Sequence, residues 1–283
     1  MNNKKHLRIR MSLGDLTTKA MCRLICMFFL AIFMVPIGYV LIASVLSRDG
    51  WSLDGYILLL ENDLVLSGLK NSMILASIGT LYSLCLEIPA AYVLSQKQYS
   101  RLTNLFFMLG QFGVSLLPLY LLLKELNLLN SLWGLILPSG FSVYYTQLLR
   151  ARMINLSKEL EDAASLDGCG PITYLVRICV PVMGPTIGCI GFFHVCSYWS
   201  NTLYARTFLT DAAKYPLSLV LNEILIKNRA ADVLVSGAVA TSVATTQMAE
   251  FALCVISTLP LIAIFMLMKK HIKVLEMDGG LVM

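Results

Sequence analysis

The run from about Leu24 to Leu46 contains no charged residue. A helix needs about 20 residues to cross the hydrocarbon core of a bilayer, so this stretch is long enough to span it. Inside that core no water satisfies backbone N–H and C=O groups, and a spanning segment must make its hydrogen bonds internally. Comparable runs follow at about Asn71 to Ser95, Leu102 to Leu123, Leu132 to Leu149, Val182 to Tyr204 and Ala249 to Met268. The chain is therefore expected to be an all-α, polytopic membrane protein with about six transmembrane helices. Composition agrees: 57% of residues are hydrophobic and 14% charged, against about 25% charged in a soluble domain. The first run has no small-residue cleavage site at its end and reads as a retained span, not a signal peptide.

Charge placement sets the expected topology. Lys4, Lys5, Arg8, Arg10, Lys19 and Arg23 face one acid, Asp15, in residues 1 to 23, which assigns that segment to the cytoplasm. The stretch from Ser47 to about Gly68 is acid-rich and is placed outside. Lys97 and Arg101 mark a short inner turn, and Lys124 to Ser131 a brief outer one. Arg150, Arg152, Lys158 and Arg177 mark a large inner loop of about 150–181, and Lys269, Lys270 and Lys273 an inner tail. The expected organisation is a cytoplasmic segment 1–23, a transmembrane domain 24–268 and a cytoplasmic tail 269–283, in a bacterial-type plasma (inner) membrane. The longest outer loop, Ala205 to about Thr246, holds Tyr215 to Ile226, which reads as an amphipathic helix at the membrane surface. The formal charge of +5 follows from this positive-inside pattern and implies no nucleic-acid partner.

The inner loop is a charged island between apolar runs. Ser157 is placed to cap a helix whose first turn carries Glu159, Glu161 and Asp162, acids that favour the positive end of the helix dipole. Gly168 ends that helix in a left-handed turn. Gly170-Pro171 starts a second helix, and Pro181 stops or bends it. Leu160, Ala163, Ala164 and Asp167 share one face at i, i+3, i+4 and i+7, a Leu with two small residues that suits docking into a groove.

This island resembles the cytoplasmic loop of permease subunits in binding-protein-dependent ABC importers. That loop reads Glu-Ala-Ala, three residues, Gly, nine residues, Ile, any residue, Leu-Pro; here it reads Asp162-Ala163-Ala164, Gly168 and Ile178-Cys179-Val180-Pro181. Asp replaces Glu and Val replaces Leu, and the spacing is intact. Asn71-Ser72, Ala90-Ala91-Tyr92, Pro118-Leu119-Tyr120, Leu126 to Asn130, Phe208 to Asp211 and Tyr215-Pro216-Leu217 extend the resemblance to the carbohydrate-uptake branch, over roughly residues 71 to 226. The branch's Trp-Asn-Asp-type cluster is here Trp199-Ser200-Asn201, which leaves substrate identity open.

The resemblance implies import of a sugar or oligosaccharide by alternating access. It implies contact with ATP-binding subunits through Glu161, Asp162, Ala163, Ala164, Asp167, Gly168, Ile178 and Pro181. A second homologous permease subunit and an extracytoplasmic solute-binding protein are the other implied partners. The permease pair is a heterodimer by this resemblance, with a homodimer open. No cofactor is expected in this chain; ATP and Mg belong to the partner subunits.

Two polar features of the spans bear on substrate. Glu87 lies about midway along the second span, where an acid must face a cavity or a partner; a translocation path and a paired, packed or protonated acid are both consistent with it. The outer half of the fifth span is polar and aromatic from His194 to Tyr204. Tyr198, Trp199 and Asn201 suit a sugar path, since rings stack on sugar faces and amides bond hydroxyls, and they suit an interfacial aromatic belt equally. His194 alone reads as a satisfied packing residue.

The eight cysteines form no Cys-x-x-Cys pair and read as small buried hydrophobes, neither metal ligands nor a disulfide framework. The sequence has no Gly-Lys pair, hence no phosphate-cradling loop of the usual kind, and no hydrolase or zinc-protease motif. The energy source is therefore expected on another chain. An ion-coupled secondary transporter using Glu87 and Glu250 is the rival reading; a membrane-embedded enzyme is a third and lacks any catalytic constellation.

Overall fold

The computed structural model describes residues 13–47, 50–110, 112–156, 158–234 and 240–279. The expected cap Ser157, the basic residues Lys4, Lys5, Arg8 and Arg10, and the end of the tail lie outside the described residues.

Among the described residues the elements are helices apart from a two-residue antiparallel ladder, β1 (Leu46–Ser47) with β2 (Gly50–Trp51). Helix α1 (Leu13–Ala43) is followed by α2 (Asp54–Leu60) and the 33-residue α3 (Asp63–Ser95). Next come α4 (Ser100–Gly110), α5 (Leu116–Glu125), α6 (Trp133–Ser139) and α7 (Val143–Ile154). The inner loop contains α8 (Lys158–Leu166), α9 (Pro171–Tyr174), a π-helical turn (Leu175–Cys179) and α10 (Val180–Val182). Helices α11 (Gly184–Ser200), α12 (Thr202–Phe208), α13 (Leu217–Leu234) and α14 (Ala240–Gly279) complete the order.

Among the described residues, three helical stretches are long and apolar enough to cross a membrane: Met21–Ala43, Asp63–Ser95 and Met248–Lys269. They coincide with the first, second and last expected spans. A fourth is a broken pair, Pro171–Val182 with Gly184–Ser200, bent by 82°. Pro181 has no N–H to donate, and its ring crowds the carbonyl four residues back, which the π turn just before it accommodates; at Met183 the helix ends and Gly184-Pro185 opens the next one, with Pro in its first turn. The third and fourth expected spans carry Gly110, Gly113 and Pro118, and Gly134, Pro138 and Gly140, residues that interrupt or bend a helix, and both are broken in the structure. Each is two short helices, α4 with α5 and α6 with α7. Pro138 and Gly140 sit at the α6–α7 break, and a Cβ on Gly140 would overlap the Tyr82 ring.

α3 is the axis of the bundle, packing against α11, α7, α13, α6 and α4. It contributes to all three apolar cores. Val65 and Ala76 join α2, α13, α14 and Trp199; Leu75 joins α5, α6 and α12; Ala91 joins α7, α8 and the π turn. The segment expected to lie on the membrane surface packs into this bundle instead. Leu217, Leu219 and Val220 of α13 are buried, and Ser72 of α3 accepts the Leu217 N–H at 2.8 Å. An amphipathic pattern does not say whether its apolar face meets lipid or other helices.

The two ends of the bundle are distinct. At one end the loops after α5 and α12 are tied by Asn130, at φ 55°, whose Oδ1 accepts from Thr210 and Asp211 N–H while its carbonyl accepts from Lys214 Nζ. Asn71 Nδ2 donates to Ala213 and Tyr215 carbonyls at the same end. At the opposite end, Arg150 Nε and Thr103 Oγ1 donate to Leu94 O, a carbonyl in the last turn of α3. A cation there also complements the helix dipole. The charged island hangs from this end.

Candidate functional site

The island folds as the residue types dictate. α8 closes in a paired hydrogen-bond pattern, Cys169 N to Ala164 O at 2.9 Å and Gly168 N to Ser165 O at 3.1 Å. This is the Schellman arrangement, which requires a left-handed residue just past the helix. Gly168 supplies it at φ +72°. Gly170 then precedes Pro171 at the first position of α9, where a missing N–H costs nothing.

The face built from Leu160, Ala163, Ala164 and Asp167 divides in two. Ala164 is 6% exposed and packs among Leu149, Met153, Tyr174, Leu175 and Cys179, so it seats α8 on its own bundle. Asp162, Ala163 and Asp167 are exposed on the other side. Leu166 is 89% exposed and Ile172 79%. Large aliphatic side chains at that exposure, flanked by carboxylates, leave an uncovered apolar patch on the island. Glu161 is half-buried and lines a cleft of about 400 Å³ with Tyr92, Gln96, Tyr99, Ser165 and Tyr174. Ile178 is half-buried and Pro181 exposed.

Higher in the bundle, one face of α3 carries a polar seam. Glu87 is fully buried; its Oε1 accepts the Ser142 N–H at 2.7 Å and its Oε2 lies 2.9 Å from His194 Nε2. Ser142 is the N-cap of α7, so the carboxylate satisfies a backbone donor at a break inside the span and sits at the positive end of a helix. His194 is 2% exposed and its ring meets the Tyr145 ring edge-on at 4.7 Å. The acid thus binds three helices together.

Tyr198 is 4% exposed; its hydroxyl lies 3.1 Å from Ser83 Oγ and donates to Ile136 O at 3.2 Å. Its ring lies on Gly79, where an added Cβ would be 2.6 Å from it. Trp199 is 4% exposed and donates Nε1–H to Ser257 O of α14 at 3.0 Å. Asn201 caps α12 by accepting the Tyr204 N–H at 3.3 Å. The structure therefore brings Glu87 and Tyr198 onto one α3 face through Ser83, and turns Trp199 toward α14. In this conformation all four side chains are engaged in joining helices. Hydropathy alone missed their partners Ser142, Ser83, Ile136 O and Ser257 O; Pro138-Ser139-Gly140 was the local sign of a break that would free a backbone donor near mid-span.

Among the described residues, no group of three or more His, Cys, Asp or Glu is placed to hold a metal. The arrangement suits mechanical transmission: an exposed helix outside the spans, a seat at Ala164, and an axis whose polar side chains tie its neighbours at their breaks.

Comparison with known proteins agrees with the loop resemblance. No family model matches the chain. The polygalacturonan/rhamnogalacturonan transport system permease protein YtcP of Bacillus subtilis (strain 168) is 29% identical over 224 residues, 78% of each chain. Protein LplC of the same organism is 29% identical over 231 residues, 78% of this chain and 76% of LplC. The arabinooligosaccharides transport system permease protein AraQ of Halalkalibacterium halodurans is 28% identical over 200 residues, 68% of this chain and 71% of AraQ. A crystal structure of a bacterial ABC transporter involved in the import of the acidic polysaccharide alginate shares the fold, with a TM-score of 0.80 at 20% identity over 92% of this chain and 98% of that one.

Proposed function

We infer that this chain is the membrane-spanning permease subunit of an ABC importer of the carbohydrate-uptake branch, moving a sugar or oligosaccharide. The observation that carries the reading is the island: a helix ended at Gly168, seated by Ala164 and exposing Ala163, Leu166 and Ile172 beyond the bundle. A surface of that kind at the end of a span that bends by 82° suits a lever driven from outside the membrane.

The partners follow from what the chain lacks. With no phosphate-cradling loop in the sequence, ATP and Mg belong to separate ATP-binding subunits, which dock on the island. One island serves one ATP-binding subunit, so a second permease subunit completes the pair, and a solute-binding protein delivers the saccharide at the opposite end. The positive-inside pattern puts the island and both termini in the cytoplasm and the Asn71–Asn130 end outside. Closure of the ATP-binding pair displaces α8; the Ala164 seat passes the displacement to α7, the π turn and α3. The Glu87 bonds carry it to the α6–α7 break and α11. Alternating access is then a shift between two packings of one bundle.

The ion-coupled alternative needs an acid free to exchange ions. Glu87 is committed to a backbone N–H and an imidazole, which favours the ATP-driven reading. Uptake into proteoliposomes carrying this chain with its partner subunits and binding protein tests it: saccharide accumulation should require ATP at the face that carries the island. Accumulation driven by a proton or sodium gradient without ATP would overturn the proposal.

A further inference from the structure

Exposed positions recur every third or fourth residue along α11 and through α12: Phe193, Ser197, Ser200, Leu203 and Arg206. The Asn201 cap between the helices does not interrupt them. The series begins at Phe193, stacked on Tyr145 at 6.0 Å and 10°, beside the Glu87–His194 pair. It ends past the outer end of α11, opposite the island. Two hydroxyls therefore lie on an exposed flank between a ring near mid-span and a guanidinium past the end of α11.

Arg206 is poorly explained as a structural residue. Its side chain is 55% exposed; Nη1 donates to Asn222 Oδ1 at 3.3 Å, and Nη2 lies 3.8 Å from Glu223 Oε1, beyond hydrogen-bond distance. An exposed ion pair of that geometry contributes little to stability. A guanidinium has five N–H donors in a planar fork that matches a carboxylate bidentately, and Asn222 orients this one from the α13 side. The unspent donors are complementary to an anion; of the hydroxyls that follow inward, Ser200 donates to Cys196 O at 2.7 Å and offers its lone pairs, so it can accept from a sugar hydroxyl.

We propose that Arg206, oriented by Asn222 and held in check by Glu223, reads the carboxylate of an acidic saccharide at the outer mouth, and that Ser197 and Ser200 continue its path inward. The proposal rests on the import reading above and narrows its substrate class to uronate-containing oligosaccharides. Glu223 keeps the empty mouth neutral and competes with the ligand carboxylate for the fork, which sets affinity low enough for release.

Calorimetry on the purified permease–ATPase complex, with a short oligogalacturonide and its methyl ester as probes, tests this directly. Arg206→Gln should weaken oligogalacturonide binding roughly tenfold or more, the loss of a charge-assisted pair. Arg206→Lys should restore part of the affinity, because the charge returns without the fork. Glu223→Gln should tighten binding, an opposite sign that general destabilisation does not produce. The ester should bind weakly and respond to none of the three. Equal effects on acid and ester, no measurable binding of the acid, or loss of the second permease subunit from Arg206→Gln complexes would each overturn the proposal. The import reading is judged separately: ATP-driven uptake of only neutral saccharides leaves it standing and sinks the uronate site, whereas absence of any ATP-driven saccharide uptake sinks both.

Discussion

Glu87 and His194, 107 positions apart in sequence, meet at 2.9 Å with side chains 0% and 2% exposed. The same carboxylate accepts the Ser142 N–H, so one side chain ties α3, α7 and α11. Removing one partner of a buried pair typically costs about 3–5 kcal/mol, and Glu87→Ala should lower the unfolding free energy of the detergent-solubilised chain by that order, read from its denaturation curve. Glu87→Gln keeps an acceptor for Ser142 and should cost clearly less. Equal loss in both variants would show that charge, not the N-cap bond, holds the break.

Gly168 turns at φ +72°, and nothing lies within 4 Å of the point where a Cβ would stand, so substitution there is a backbone matter, not a steric one. Gly168→Ala should cost about 1–2 kcal/mol, the left-handed penalty for an L residue, and Gly168→Val more; Gly168→Asn should cost least. Substrate-stimulated ATP hydrolysis in the reconstituted complex should fall in the order Asn, Ala, Val. A Val variant with wild-type stimulation would remove the elbow from the coupling mechanism.

The adjacent alanines of the island separate by readout. Ala163→Trp, on the exposed side, should leave the chain's own stability unchanged and reduce co-purification of the ATP-binding subunits. Ala164→Leu, at 6% exposure, should overpack the seat at about 1–3 kcal/mol and lower thermal stability of the isolated chain. Reversed phenotypes would mean that the outward face has been misassigned.

Trp199 offers a test of packing against path. Trp199→Phe keeps a ring but leaves Ser257 O without its donor, a cost of about 1 kcal/mol; Trp199→Ala should cost about 3–5 kcal/mol. If packing is its role, transport per folded complex should track these losses and recover when temperature is lowered. A Phe variant of normal stability that fails to transport would place the indole in the path.

Gly79 carries the Tyr198 ring with no space for a side chain, since a Cβ would approach to 2.6 Å. Gly79→Ala should therefore displace Tyr198, break its contact with Ser83 and destabilise by about 1–3 kcal/mol. Gly79→Ala with Tyr198→Phe should recover nothing, because the ring and not the hydroxyl collides; pairing with Tyr198→Leu should recover part. Full stability of Gly79→Ala alone would refute this close approach.

Local signals were legible in the sequence because local forces decide them. A predominantly apolar run of about 20 residues or more is read as a bilayer-crossing helix from its own composition, and three such spans stand where hydropathy put them. The island's turn was equally readable, since Gly168, Gly170 and Pro171 act within a few residues of themselves. What the chain alone left open was everything that depends on which neighbour occupies a face. Periodicity put Ala163 and Ala164 together, and only packing turned one inward. Glycines and prolines in the third and fourth spans signalled that a helix there could be interrupted or bent, but not that a carboxylate from another helix would meet the break: Glu87 of α3 takes up the Ser142 N–H in the fourth. Glu87, Tyr198 and Trp199 announced themselves as polar or aromatic groups in a span, but their partners come from helices far away in sequence, and a buried polar group takes whichever partner the fold brings to it.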